Sequence, residues 1–66
     1  MIDRRAEGNE LVIFLKGKID SSNAKDAERR IRDAIREYPD LPWVLDAQDL
    51  EYISSAGLRV LLGLSL

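Results

Sequence analysis

Residues Glu10 to Lys16, Glu-Leu-Val-Ile-Phe-Leu-Lys, set an unbroken run of large apolar side chains between two charges. So continuous a run suits a strand that is central in a sheet or buried on both faces. The remaining chain has to be arranged around it. Ile2 to Glu7 reads as a short polar edge strand, and Gly8-Asn9 supplies a turn, which predicts a hairpin. Downstream, Gly17-Lys18-Ile19-Asp20-Ser21-Ser22-Asn23 reads as an exit loop rich in capping residues. A helix is predicted from near Ser21, Ser22 or Asn23 to about Tyr38, because Ala24, Ala27, Ile31, Ala34, Ile35 and Tyr38 keep helical spacing. Asp26 stands four residues before Arg30 and Glu28 four before Arg32, the pairing expected on a solvated helix face. Pro39 ends this helix and Pro42 keeps the connection extended. Trp43-Val44-Leu45-Asp46 then predicts a short strand. With a helix between them, the simplest arrangement makes this strand parallel to Glu10–Lys16 through a right-handed crossover. A last helix starts at Ser54 or Ser55 and carries Leu58, Val60, Leu61, Leu62 and Leu64. The predicted fold class is therefore α/β, a small mixed sheet with the order β-β-α-β-α.

Sixty-six residues make one domain with a thin core. A chain of this size buries only about 60% of its unfolded surface. The composition then removes several functions. Without cysteine there is no disulfide, thiolate ligand or thiol nucleophile, which fits a reducing compartment. Without histidine there is no Ser-His-Asp triad and no histidine-based zinc site. Ser54 and Ser55 lie outside any Gly-x-Ser-x-Gly elbow. Gly57 and Gly63 have the spacing of half a phosphate loop, but Leu64-Ser65 follows where Lys-Ser or Lys-Thr is required. We therefore expect no enzyme, no metal and no cofactor. Ten basic against twelve acidic residues give a net charge of −2 and no reason for general nucleic-acid binding. The start Met-Ile-Asp-Arg-Arg has no apolar signal core, and no apolar run reaches membrane-span length. The expected setting is cytoplasmic.

The chain stops at Leu64-Ser65-Leu66, inside an apolar pattern. A third strand with one open side leaves unpaired backbone and apolar surface in water. Residues 1–66 are thus expected to form a single but incomplete domain, or one that a second copy completes by self-pairing or domain swapping.

The chemistry concentrates in Asp49-Leu50-Glu51-Tyr52-Ile53-Ser54-Ser55-Ala56-Gly57-Leu58-Arg59-Val60-Leu61-Leu62, read as a loop that delivers two serines to an apolar helix. A helix start has unpaired N–H groups and a partial positive charge, so a phosphate is tolerated there. Phosphorylation of a serine at that point would bring about two negative charges. The same serines also serve as ordinary N-caps. Both readings stand at this point.

Three segments together resemble the STAS domain, the fold of bacterial anti-sigma factor antagonists and of the cytoplasmic tails of sulfate transporters. Gly17-Lys18-Ile19-Asp20 resembles the family's Gly-x-(Leu/Ile)-Asp before its first helix. Val44-Leu45-Asp46 resembles its short strand leading into a loop. Tyr52-Ile53-Ser54-Ser55-Ala56-Gly57-Leu58 resembles its hydrophobic-(Asp/Ser)-Ser-(Ser/Thr/Ala)-Gly-(Leu/Ile) signature. The resemblance covers essentially the whole chain, although the family continues with a further strand and helices. It implies a partner-switching module whose partners are an anti-sigma factor that doubles as an ATP-dependent serine kinase and a serine phosphatase. By position, Ser55 corresponds to the phosphoacceptor. Ser54 stands where well-known antagonists carry aspartate, Ala56 where they carry a second hydroxyl, and Asp20 matches an acidic residue close to the acceptor.

The residues themselves carry other readings. Asp20 is a candidate cap of the long helix, in competition with Ser21 and Ser22. Asp46 and Asp49 are expected to hydrogen-bond local backbone. Gly57 is expected to let the last helix approach the sheet, Trp43 to cover the core, and Arg59 to face solvent where it can meet a phosphate or a partner carboxylate. Two alternatives keep the same fold: a scaffold or oligomerisation domain without the switch, and a nucleotide-sensing domain.

Overall fold

The computed structural model describes residues 1–64. Its elements are β1 (Ile2–Glu7), β2 (Glu10–Ile19), α1 (Ala24–Glu37), β3 (Trp43–Ile53) and α2 (Ser55–Gly63). The sheet order is β1-β2-β3. β1 and β2 pair antiparallel across the Gly8-Asn9 turn, with Ile2 opposite Leu15 and Glu7 opposite Glu10. β2 and β3 pair parallel, from Leu11 opposite Trp43 to Ile19 opposite Ile53. The predicted β-β-α-β-α order and mixed sheet are what the chain adopts. The Ser65-Leu66 end of the apolar pattern lies outside the described residues.

The core is one layer between the sheet and the helices. Leu11, Ile13, Leu15 and Ile19 of β2 are buried against Ala24, Ala27, Ile31 and Ala34 of α1. Leu61 and Leu64 at the α2 end pack on the same cluster, which places both helices on one face of the sheet. That arrangement decides between the two options the apolar run allowed. β2 is central, but it is not fully buried on both sides: Val12 and Phe14 point to the other face and are only half-buried. There Arg5 and Lys16 stand over the Phe14 ring, 5.4 and 5.9 Å from its centroid. The two charged groups lie over the ring face while staying exposed to water.

Two strand lengths also differ from the sequence reading. β2 runs on through Gly17-Lys18-Ile19, which were expected to form a loop. β3 reaches Ile53, well beyond the expected stop at Asp46. The reason lies in two register shifts, between Phe14 and Lys16 and between Gly17 and Lys18 of β2. At each one β3 carries one residue more than β2. The core-facing residues of β3 are Trp43, Leu45, Leu50 and Ile53. Leu45 to Leu50 and Leu50 to Ile53 are odd separations, which a regular strand places on opposite faces. One extra residue in each interval restores the even count and returns all of them to the core. Gly17, at φ +75°, sits between the two shifts, in a left-handed conformation that an L side chain adopts only with strain.

Exposed carboxylates hold the surface in register and make it pH-sensitive. Arg4 of β1 grips Glu37 at the end of α1 with two hydrogen bonds of 2.7 and 3.1 Å. Asp26 pairs with Arg29 and with Arg30, and Glu28 with Arg32 at 3.0 Å. The Arg4 hydrogen bond lowers the Glu37 pKa, the Arg29 hydrogen bond that of Asp26, and the Arg4 backbone N–H that of Asp3. Groups held below their ordinary pKa contribute stability above the ordinary carboxylate range of about 4. That contribution is lost as pH falls through the lowered folded-state values. The thermal midpoint is therefore expected to drop progressively below about pH 5, and with a shallower slope in high salt, because these pairs are exposed and screened. Melting curves from pH 6 to pH 2.5 at low and high salt check this. A flat profile at low salt contradicts it.

Candidate functional site

The two bulges carry the end of β3 to the end of β2, and this places the serines. Ser54 N–H donates to the Ile19 carbonyl at 2.8 Å, so the backbone of residue 54 is still tied to the sheet. It cannot also be helical, and it becomes the N-cap of α2, with extended backbone angles. Its hydroxyl accepts the Gly57 N–H at 3.3 Å, while its carbonyl accepts the Leu58 N–H at 2.9 Å. A serine cap of this type contributes about 1 kcal/mol.

Ser55 is thereby released from capping. It is the first residue of α2, exposed, and among the described residues its hydroxyl makes no hydrogen bond. Of the two readings the sequence left open, the structure gives the cap to Ser54. An exposed, unengaged hydroxyl on the first helical turn is left at position 55.

Gly57 fixes how close α2 comes. A Cβ on it would meet Ile53 Cγ1 at 2.7 Å, Ile19 Cγ2 at 2.9 Å and the Ile19 carbonyl at 3.2 Å. Gly57 is buried, so its part in the site is to seat the helix against the sheet ends. α2 then turns its other side outward. Tyr52, Leu58 and Leu62 are exposed at 54, 48 and 69%, and Leu58 and Leu62 share a helix face by their spacing.

Asp20 lies just beyond Ile19, on the same end of the sheet as Ser54. It is not the helix cap that the sequence suggested as one option. Asn23 takes the cap position, and its side chain makes no cap bond there. Instead Asn23 Oδ1 accepts the Asp20 N–H at 2.9 Å, and Asn23 Nδ2 donates to the Lys18 carbonyl at 3.0 Å. The Asp20 carboxylate accepts the Ser22 hydroxyl at 2.5 Å and the Ser22 N–H at 2.9 Å. These bonds, with the Ser22 hydroxyl the largest cause, hold its pKa below the ordinary value. Asp20 is therefore an anion at neutral pH that braces the turn leading into α1. Asp46 behaves as expected, accepting the Gln48 N–H at 2.9 Å next to the first bulge.

One group of residues was not foreseen as a unit. Ser21, Ala24, Lys25 and Glu28 of the α1 side and Ala56, Arg59 and Val60 of α2 line a groove of about 320 Å³ between the helices. Arg59 was singled out in the sequence, but Lys25 was not. Its signal was available: a cation in the first turn of a helix opposes the helix dipole. The described helices include none long and apolar enough to cross a membrane.

Residues 2–66 match the family model described as Mlab, STAS domain. Among solved structures, the chain is similar to the anti-sigma factor antagonist SpoIIAA in its unphosphorylated form. The TM-score is 0.71 at 21% identity, and the alignment covers 98% of this chain and 60% of that one. The present chain thus spans about 60% of that protein's length, and the likeness is one of fold. No curated protein matches the sequence.

Proposed function

This chain belongs to the STAS domain family, and from that premise we propose that it is a binding module of the anti-sigma factor antagonist kind, switched by reversible phosphorylation of Ser55. The observation that carries the reading is the division of labour between the serines. Ser54 is committed to the helix cap and to the sheet, while Ser55 is exposed and its hydroxyl bonds to none of the described residues. A kinase can reach Ser55 without dismantling the fold.

In this reading the partner is an anti-sigma factor with serine kinase activity. The γ-phosphoryl group passes from ATP to Ser55 Oγ, which gives up its proton as ADP leaves. A serine phosphatase returns the free hydroxyl and inorganic phosphate by hydrolysis. Chain and partners meet in the cytoplasm. The unphosphorylated face of α2, with Leu58 and Leu62, supplies an apolar contact area beside the serine. A phosphate set at its edge adds charge that is costly to desolvate in a close interface and repels acidic partner groups.

Incubation with a serine kinase of the anti-sigma class and ATP, followed by phosphopeptide mapping, is the test. The label is expected on Ser55 and is lost in Ser55→Ala, which keeps partner binding. Ser55→Asp is expected to weaken binding at least tenfold, on the scale of about 1.4 kcal/mol. A label confined to Ser54, Ser21 or Ser22 overturns the assignment. Partner binding that neither substitution changes points instead to a scaffold without a switch.

A further inference from the structure

We infer that Arg59 of α2 and Lys25 of α1 form a cationic clamp that takes up the Ser55 phosphate within the chain itself. The inference rests on the phosphorylation reading above and adds what happens to the phosphate afterwards.

The distribution of charge leads to it. The chain has ten basic residues. Arg4, Arg5, Lys16, Arg29, Arg30, Arg32 and Arg36 are each held in an ion pair. Among the described residues, only Lys18, Lys25 and Arg59 are in none. These three gather at the end of the molecule that carries Ser55. Lys18 sits near the Asp20 carboxylate, which it helps to keep ionised. Lys25 and Arg59 come from different helices and line the same groove. Among the described residues lining that groove the one acid, Glu28, is already bound to Arg32 at 3.0 Å. The groove therefore presents two uncompensated positive charges next to the Ser55 turn.

The spacing supplies the geometry. Ser55 and Arg59 are four residues apart on α2, and an acidic group preceding a basic one by four is the favourable order. The same chain closes this pair twice on α1, between Asp26 and Arg30 and between Glu28 and Arg32, each at 3.0 Å. A phosphoserine at 55 brings nearly two charges and three acceptor oxygens. Arg59 can engage two of those oxygens with its guanidinium fork, leaving one for the Lys25 ammonium across the groove.

The consequence is a switch by charge subtraction. Unphosphorylated, the two cations face outward beside the apolar stripe and suit acidic side chains of the partner. Phosphorylated, they are neutralised in place and the groove is filled. Release then needs no change in the backbone.

The test uses the full chain made by chemical synthesis with phosphoserine at position 55, so it does not depend on any kinase. A ³¹P NMR titration reads the second ionisation of the phosphate, ordinarily near pH 6. In the clamp it is expected to lie lower by roughly half a unit or more, as for any anion beside paired cations. Arg59→Gln and Lys25→Gln should each move it back up, and Arg36→Gln, remote from the groove, should not. A titration equal to that of a short unfolded phosphopeptide overturns the clamp. So does a lowered value that persists in both groove variants, since the helix start alone would then hold the phosphate. A variant effect confined to Arg59 removes Lys25 and with it the two-helix clamp. None of these results touches the phosphorylation reading, which fails instead if the kinase never labels Ser55.

Discussion

Ile31→Ala is expected to unfold a large share of the protein at physiological temperature. Ile31 is fully buried at the centre of the core of the described residues, where α1 faces Leu11, Ile13, Leu15 and Ile19 of β2. Emptying such a site costs about 2–5 kcal/mol, the upper end applying where neighbours cannot collapse into the hole. Here the other buried positions of α1 are Ala24, Ala27 and Ala34, whose side chains are too short to reach it. A domain of this size has only roughly 3–10 kcal/mol of total stability, so one substitution removes a major part. The thermal midpoint should fall by on the order of 10–30 °C. Ile31→Val, which removes one methyl group, should cost about 0.5–1.5 kcal/mol. Circular dichroism melts of the two variants separate these expectations. Equal losses would mean that the core is not concentrated on this layer.

Much of the fold was legible because local signals agreed with one another. The turn at Gly8-Asn9, the helical stripe from Ala24 to Tyr38 and the break at Pro39 each point to the element that forms. The length of β3 was not legible, since Leu45, Leu50 and Ile53 have no period of two until the two inserted residues are known. Bulges of this kind are fixed by pairing with β2, which no local window of sequence contains. The division between Ser54 and Ser55 was hidden for a related reason. Either serine satisfies the chemistry of a cap, and the choice is made by the Ile19 carbonyl, which holds the residue 54 backbone on the sheet. The groove of Lys25 and Arg59 depends on how two helices lie side by side, so only Arg59, next to the recognisable Ser-Ser-Ala-Gly segment, stood out.

Gly57→Val should do to the site what Ile31→Ala does to the core. At position 57 even a single Cβ falls 2.7 Å from Ile53 Cγ1 and 2.9 Å from Ile19 Cγ2. Neither atom is the free end of a flexible side chain, and the next neighbour, the Ile19 carbonyl at 3.2 Å, is backbone. In Gly57→Ala, overpacking of about 1–3 kcal/mol is partly offset by up to about 1 kcal/mol of better helix propensity. Valine loses most of that offset and adds two methyl groups against the same isoleucines, so its cost should approach about 3 kcal/mol, or a midpoint lower by on the order of 15 °C. The displacement has a direction: α2 must move away from the Ile19 carbonyl, which also anchors the Ser54 N–H at 2.8 Å. Amide exchange at Ser54 should therefore accelerate, and partner binding should weaken although Ser55 is intact. Gly63→Ala is the matched control at the far end of α2, where an added Cβ meets nothing within 4 Å. If Gly57→Val leaves Ser54 exchange as slow as Gly63→Ala does, the close seating of α2 is not what positions the serine.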